Sequence, residues 1–175
     1  MKTLATRALT AVLMGALAAC GGDGTSASAP EAPASAIPSP PAVDTAGAQG
    51  LLGPDETLQV VRLPAVGSTT VSGTVVGYES NAYAVAVAAG RTLRVDFRPS
   101  NTNLYMNIHD TADQSGAAVH RGEVDGPDAV LSPSAPTTYL IRPYQPRAAA
   151  RRDETGDYTI RIARNRVAPR REDGP

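Results

Sequence analysis

The chain has 175 residues and a formal net charge of -1, which leaves room for one ordinary domain and its terminal extensions. Its single cysteine excludes an internal disulfide framework and a multi-cysteine metal site. Aromatic residues make up only 4% and Trp is absent, so a core must be built from Val, Leu, Ile, Ala and a few Tyr, a composition that favours strands.

Residues 1–19 are predicted to be a lipoprotein signal peptide. Lys2 and Arg7 accompany a short apolar run that is too short to span a bilayer. The run ends in the sequence LAAC, which resembles the bacterial lipobox, where the cysteine is acylated and the chain is cut before it. An ordinary signal peptide with a chance cysteine is the alternative. We therefore expect lipid attachment at Cys20 and stable anchoring to a membrane by two or three acyl chains.

Residues 20–54 are predicted to form a disordered tether. They are rich in Gly, Ala, Ser, Thr and Pro, and they have too few large apolar side chains to offset the entropy of the chain. Gly21 stands where an aspartate would signal retention in the inner membrane. We therefore expect a periplasmic protein anchored to the outer membrane, with the inner membrane as the alternative.

Residues 55–166 are predicted to form an all-β domain, an antiparallel β-sandwich or jelly-roll of about eight strands. Within it, residues 93–97 alternate apolar with charged side chains, as a half-buried strand does. Turn signals rich in Gly, Pro, Asn and Asp separate such segments. The strand candidates are 58–63, 71–76, 83–87, 93–97, 104–108, 129–131, 138–142 and 158–162.

The basic residues are concentrated near the C-terminus. Lys2 is the only lysine, and nine arginines occur from Arg142 onward. Acidic residues are interleaved with these arginines and aromatic platforms are few, so nucleic-acid binding is not favoured. Residues 167–175 are predicted to be a charged flexible tail, to which the sequence assigns no role.

The sequence offers little support for catalysis. No serine lies in a nucleophile elbow, no glycine-rich phosphate loop follows a strand, and no cluster has metal-ligand spacing. His109 and Asp110 are adjacent, so in a regular strand they point to opposite faces. We interpret His109 and His120 as surface histidines, and His109, Asp110 and Asp113 as hydrated loop residues. We therefore expect neither an enzyme nor a metal or cofactor site.

A long connection at residues 143–157 is the most informative segment for function. It contains the sequence RAAAR, and three alanines favour a helical turn that would place Arg147 and Arg151 on one face. A guanidinium group binds a carboxylate or a phosphate through two parallel hydrogen bonds. The alternative is that both arginines are solvated or pair with Asp153 and Glu154.

Two blocks of the sequence are distinctive. The first block consists of Ser72-Gly73, Gly77-Tyr78, Tyr83 and Ala89-Gly90. The second consists of Arg142, Gln145, Arg147, Ala150-Arg151, Thr155 and Tyr158. With these blocks, about residues 58–165 resemble the periplasmic inhibitors of g-type (goose-type) lysozyme. The resemblance implies a β-sandwich whose target-binding residues are Tyr78, Arg147 and Arg151. The chain departs from the family pattern at Ala148 and Ala149, where polar residues are common in the family.

The resemblance implies that the protein binds g-type lysozyme and protects peptidoglycan by occluding the acidic active-site cleft with the arginine-bearing loop. One alternative is a non-catalytic envelope lipoprotein that binds peptidoglycan or another glycan through the same arginines. Another is a structural lipoprotein in which the arginines have no role.

Overall fold

The computed structural model describes residues 41 to 166, within which nine strands and three short helices occur. The strands are β1 (Glu56–Val60), β2 (Ser68–Val76), β3 (Ser80–Val87), β4 (Arg91–Pro99), β5 (Tyr105–Asp110), β6 (Ala118–Arg121), β7 (Asp128–Leu131), β8 (Thr137–Tyr144) and β9 (Thr155–Arg166). The helices are α1 (Thr45–Gly50), α2 (Gly122–Asp125) and α3 (Arg147–Ala150).

The strands form two packed sheets, which confirms the predicted all-β sandwich. One sheet has the order β1-β3-β8-β5-β6, and the other has the order β2-β9-β4-β7. Neighbouring strands are antiparallel except β1, which runs parallel to β3. The strand that the sequence did not predict is β6, a four-residue strand at a sheet edge whose short length leaves little alternation to detect.

Alternation of period two builds the core between the sheets. In β4, Leu93, Val95 and Phe97 are at most 1% exposed, whereas Arg94 and Arg98 on the opposite face are exposed. A shift of one residue would turn these arginines towards the core and the apolar side chains towards water. The pattern therefore fixes the register of β4 against its neighbours.

A buried tyrosine pair explains several residues of the two sequence blocks. The hydroxyl groups of Tyr83 and Tyr158 are 2.9 Å apart and hydrogen bonded across the sandwich. A Cβ atom at Gly73 would lie 2.4 Å from the Tyr158 hydroxyl, so the pair requires a glycine there. Burial and the hydrogen bond with Tyr83 raise the pKa of Tyr158, which keeps the phenol neutral. These three residues stabilise the core.

The N-terminal boundary of the folded part lies earlier than the sequence indicated. Helix α1 occupies residues that we expected in the tether, and Asp44 caps it by accepting a hydrogen bond from the Gly47 amide at 2.9 Å. The helix packs Ala48, which is fully buried, onto the outer face of the five-stranded sheet. Small residues on that face let the helix approach closely, namely Ala82 and Ala84 of β3.

The histidines are buried, so our interpretation of them as surface residues was wrong. His109 is 5% exposed and His120 is 7% exposed. The Nε2 atom of His120 is 2.9 Å from the carbonyl oxygen of Gly126. The pKa of His109 is lowered, first by burial and then by the positive charge of Arg142. Among the residues that the structure describes, no three histidine, cysteine or acidic side chains are grouped as metal ligands would be.

Several predictions concern residues outside the described range. They are the signal peptide (1–19), the lipidated Cys20, residues 21–40 of the tether and the charged tail (167–175). Between residues 41 and 166, no helix is long and apolar enough to cross a membrane.

Candidate functional site

The connection between β8 and β9 contains the helical turn that the sequence predicted. Helix α3 spans Arg147–Ala150, and the Arg151 amide donates to the Arg147 carbonyl oxygen at 3.1 Å. Ala149 and Ala150 are 2% and 1% exposed, so they hold the turn against the domain. Their burial leaves Arg147 and Arg151 on the solvent side, where both are exposed. The alanines thus fix the turn by packing, without polar side chains.

Backbone hydrogen bonds also end the turn in a defined way. The Asp153 amide donates to the Ala150 carbonyl oxygen at 3.0 Å, and the Glu154 amide donates to the Ala149 carbonyl oxygen at 3.3 Å. Asp153 has a φ of +51°. This arrangement is a Schellman motif, which satisfies the carbonyl groups at the end of a helix. The position of Arg151 is therefore set by hydrogen bonds on both sides of it.

The neighbouring charges determine which arginines remain available to a partner. The Arg152 Nε atom donates to Glu154 Oε1 at 2.9 Å, and Asn103 donates to the other Glu154 oxygen at 3.2 Å. These hydrogen bonds lower the pKa of Glu154. Within the part of the chain that the structure describes, Arg147 and Arg151 form no ion pair. The two arginines therefore do not pair with Asp153 or Glu154, which was one of the alternatives left open by the sequence.

Tyr78 lies at the tip of the connection between β2 and β3. Val76 and Glu79 form reciprocal backbone hydrogen bonds of 3.1 and 2.9 Å, which leaves Gly77 and Tyr78 as a two-residue turn. Gly77 has a φ of +57°, a conformation that favours glycine and that type II′ hairpin turns require at this position. The turn presents Tyr78 to solvent with 52% of its surface exposed.

The Tyr78 turn contacts the α3 connection directly. The Gly77 amide donates to the Glu154 carbonyl oxygen at 3.0 Å. A Cβ atom at position 77 would lie 3.1 Å from the Ala150 carbonyl oxygen, so the two backbones touch. Through this contact, Tyr78 and the two exposed arginines lie at the same end of the sandwich. The structure therefore brings the three predicted site residues into one region.

The structure can be superposed on Aeromonas hydrophila PliG, a periplasmic lysozyme inhibitor of g-type lysozyme, with a TM-score of 0.56. The two chains are 27% identical, and the match covers 63% of this chain and 98% of that one. This chain is similar in structure to PliG. The similarity confirms the resemblance to periplasmic inhibitors of g-type lysozyme.

Two further PliG structures match at lower similarity. Salmonella Typhimurium PliG is 20% identical with a TM-score of 0.47, and the match covers 62% of this chain and 97% of that chain. A mutant of Escherichia coli PliG is 22% identical with a TM-score of 0.48, and the match covers 63% of this chain and 98% of that chain. No protein-family model and no curated protein sequence matches this chain.

The second sequence block also contains residues that line a cavity next to Tyr78. Arg142 donates from Nε and Nη2 to the two carboxylate oxygens of Glu56, at 3.0 and 2.6 Å. Gln145, which is 5% exposed, lies next to this pair and precedes α3 by two residues. The cavity could not be predicted from the sequence, because Glu56 and Arg142 are 86 positions apart and no local pattern joins them.

Proposed function

We propose that this protein inhibits g-type lysozyme by placing the α3 turn in the active-site cleft of the enzyme. The observation that carries the proposal is the exposure of Arg147 and Arg151 on one helical turn, without an internal ion pair among the described residues. The similarity to Aeromonas hydrophila PliG supports it, since that protein is an inhibitor of g-type lysozyme. In this role the protein binds its partner and catalyses no reaction.

The chemistry of the target explains why arginines suit this role. Glycosidases cut with carboxyl groups in a cleft, and one of these groups serves as the general acid. A guanidinium group can donate two parallel hydrogen bonds to such a carboxylate, and these bonds are stronger when the pair is shielded from water. Arg147 and Arg151 would thereby occupy the position of the substrate. The enzyme cannot cleave a protein loop, so it remains blocked.

The rigidity of the turn favours tight binding. Ala149 and Ala150 are buried, and the Schellman motif fixes the backbone that follows them. A segment that is already ordered in the free protein loses little conformational entropy when it binds. Tyr78 would add contact area at the edge of the same surface, because a tyrosine ring is large and has only two rotatable side-chain bonds.

We also propose that the protein works in the periplasm, attached to the outer membrane through lipidated Cys20. The LAAC sequence supports the attachment, and residues 20–40 are long enough to hold the domain away from the lipid surface. An inhibitor held beside peptidoglycan has a raised effective concentration at the place where lysozyme acts.

A cell-wall lysis assay tests the inhibitory function. The purified chain is added to peptidoglycan suspensions with g-type, c-type or i-type lysozyme, and the fall in turbidity is followed. We expect protection against the g-type enzyme only. Arg147→Ala and Arg151→Ala should each weaken inhibition by about 30-fold or more, because removing one member of a buried charge pair costs about 2 to 5 kcal/mol.

The matched control is Arg161→Ala, which removes the same charge from β9, away from the α3 turn. It should inhibit like the unmodified chain. Full inhibition by both α3 variants would refute the role of the turn. Absence of protection together with retention on peptidoglycan would refute the inhibitor and favour a glycan-binding lipoprotein.

A further inference from the structure

A cavity of about 380 Å³ lies next to Tyr78 and is lined by residues of both sheets. Its size is that of a small-molecule site, since such pockets measure about 300 to 1,000 Å³. Strands β5 and β8 form its floor, and the segment that joins α1 to β1 forms one wall. The residues that define its chemistry are Glu56, Tyr78, Asn107, His109, Arg142 and Gln145.

The cavity contains an unusual concentration of buried polar atoms without hydrogen bonds. Asn107 Oδ1, His109 Nδ1 and both amide atoms of the Gln145 side chain have no partner among the described residues. His109 and Gln145 are each 5% exposed. Folded proteins pair nearly all buried polar groups, because an unpaired one is strongly unfavourable. Four such atoms around one cavity indicate a site for a ligand that supplies both donors and acceptors.

The partly buried charges of the cavity cancel one another, and the remaining charged residue of the lining is Asp55, which is exposed. Arg142 and Glu56 form two hydrogen bonds, and the second Glu56 oxygen also accepts from the Gly53 amide at 2.6 Å. The guanidinium is therefore already engaged with a carboxylate and is not free to bind an anion. Burial and the nearby Arg142 lower the pKa of His109, so the ring is neutral at physiological pH. The cavity suits an uncharged ligand.

We propose that this cavity binds a neutral saccharide ring. Each sugar hydroxyl both donates and accepts a hydrogen bond, which matches the two amide groups and the histidine of the cavity. Tyr78 borders the cavity and is half exposed, so its ring can cover the apolar C–H face of a sugar. This site uses neither Arg147 nor Arg151, so it differs from the lysozyme-binding surface and from a glycan site built on those arginines.

The site also adjoins the α3 turn. Gln145 lines the cavity, and the carbonyl oxygen of Pro146, the next residue, begins the turn by accepting hydrogen bonds from the Ala149 and Ala150 amides at 2.9 and 3.0 Å. A sugar bonded to the Gln145 amide would fix the residue from which the turn starts. Tyr78 lines the cavity and also stands beside α3. A bound saccharide and a bound protein partner would therefore both contact the Tyr78 side chain.

Saturation-transfer NMR on the full chain tests the proposal, with glucose, N-acetylglucosamine and glucuronic acid as probes and without lysozyme. We expect saturable binding of at least one neutral sugar, with a dissociation constant on the order of 1 mM, as befits so small a ligand. Glucuronic acid should bind more weakly than glucose. Because lysozyme is absent, the outcome is independent of the inhibitory function.

The diagnostic variant is Gln145→Met, which keeps the length of the side chain and removes both unpaired amide atoms. We expect at least a tenfold loss of sugar affinity together with an unchanged or raised Tm, since no internal hydrogen bond is lost. Gln59→Met on β1 is the control for an exposed glutamine and should bind normally. Asn107→Leu is a second variant and should also weaken binding.

Three outcomes would overturn the proposal. Absence of saturable binding for both neutral sugars would mean that the cavity holds only water. Tighter binding of glucuronic acid than of glucose would mean that an anion site is present. Unchanged sugar affinity in a folded Gln145→Met chain would mean that the sugar binds elsewhere.

Discussion

The contact between the Tyr78 turn and α3 can be measured by adding one methyl group, in the variant Gly77→Ala. The new Cβ atom would lie 2.9 Å from Asp153 Oδ1 and 3.1 Å from the Ala150 carbonyl oxygen. The backbone φ of +57° adds roughly 1 to 2 kcal/mol of strain for any residue with a Cβ atom. Crowding adds about 1 to 2 kcal/mol, the lower part of its usual range, because the Asp153 side chain can rotate away.

We therefore expect Gly77→Ala to lower the free energy of unfolding by about 2 to 4 kcal/mol. Gly90→Ala is the matched control, because Gly90 has a similar φ of +68° and no heavy atom within 4 Å of the new methyl group. It should show the backbone strain alone. Urea unfolding of both variants gives the difference, provided that the m-values agree.

The difference between these variants isolates the crowding against α3. Gly77→Ala should also weaken lysozyme inhibition more than Gly90→Ala, because it moves the Tyr78 turn relative to the arginines. Equal losses of stability in the two variants would refute the direct contact. Retention of full inhibition despite a larger loss of stability would refute the claim that the relative position of the two segments matters.

Two further predictions concern pH and membrane attachment. Burial lowers the pKa of His109, so below about pH 6.5 the unfolded chain binds a proton that the folded chain does not. The free energy of unfolding should therefore fall as the pH is lowered below this value, by up to about 1.4 kcal/mol per pH unit. Urea titration at several pH values measures this slope, and His109→Gln should make it smaller. An equal slope in the variant would contradict His109 as the cause. Cys20→Ser should move the chain from the membrane to the soluble fraction and abolish labelling with an alkyne fatty acid, and a labelled variant would contradict acylation at Cys20.

Alternation along the chain was sufficient to predict the sandwich, because the β4 pattern of buried and charged side chains allows only one face to be buried. The helical turn at α3 was likewise predictable, since RAAAR combines helix-forming residues with a local hydrogen-bond pattern. Both features depend on neighbours in sequence. The charge pairing in this loop also depends on residues that are distant in sequence. Asn103, in the connection between β4 and β5, donates a hydrogen bond to Glu154, the carboxylate that pairs with Arg152.

Helix α1 was missed because its own sequence, TAGAQG, contains no large apolar residue. A signal was nevertheless present in β3, where Ala82, Ala84 and Ala86 occupy the face opposite the core and are buried. A face open to water usually carries polar side chains. Alanines in that position indicate that another segment covers the strand, although they do not say which one.

The burial of His109 and the cavity around it could not be predicted from local patterns. A register shift between Ile108 and His109 in the pairing of β5 with β6 alters the alternation expected of a regular strand. The carboxylate that neutralises Arg142 comes from β1, near the other end of the domain sequence. His109, Arg142 and Glu56 lie close together only in the folded chain, because no local sequence pattern connects them.

The packing of the α3 turn affects its resistance to proteolysis. Trypsin-like enzymes cut after arginine, but they require several residues in extended form within their groove, so a hydrogen-bonded turn must first open locally. Opening this one would expose Ala149 and Ala150 to water and break the Schellman motif. The arginine side chains thus face outward while the peptide bonds beside them resist cleavage.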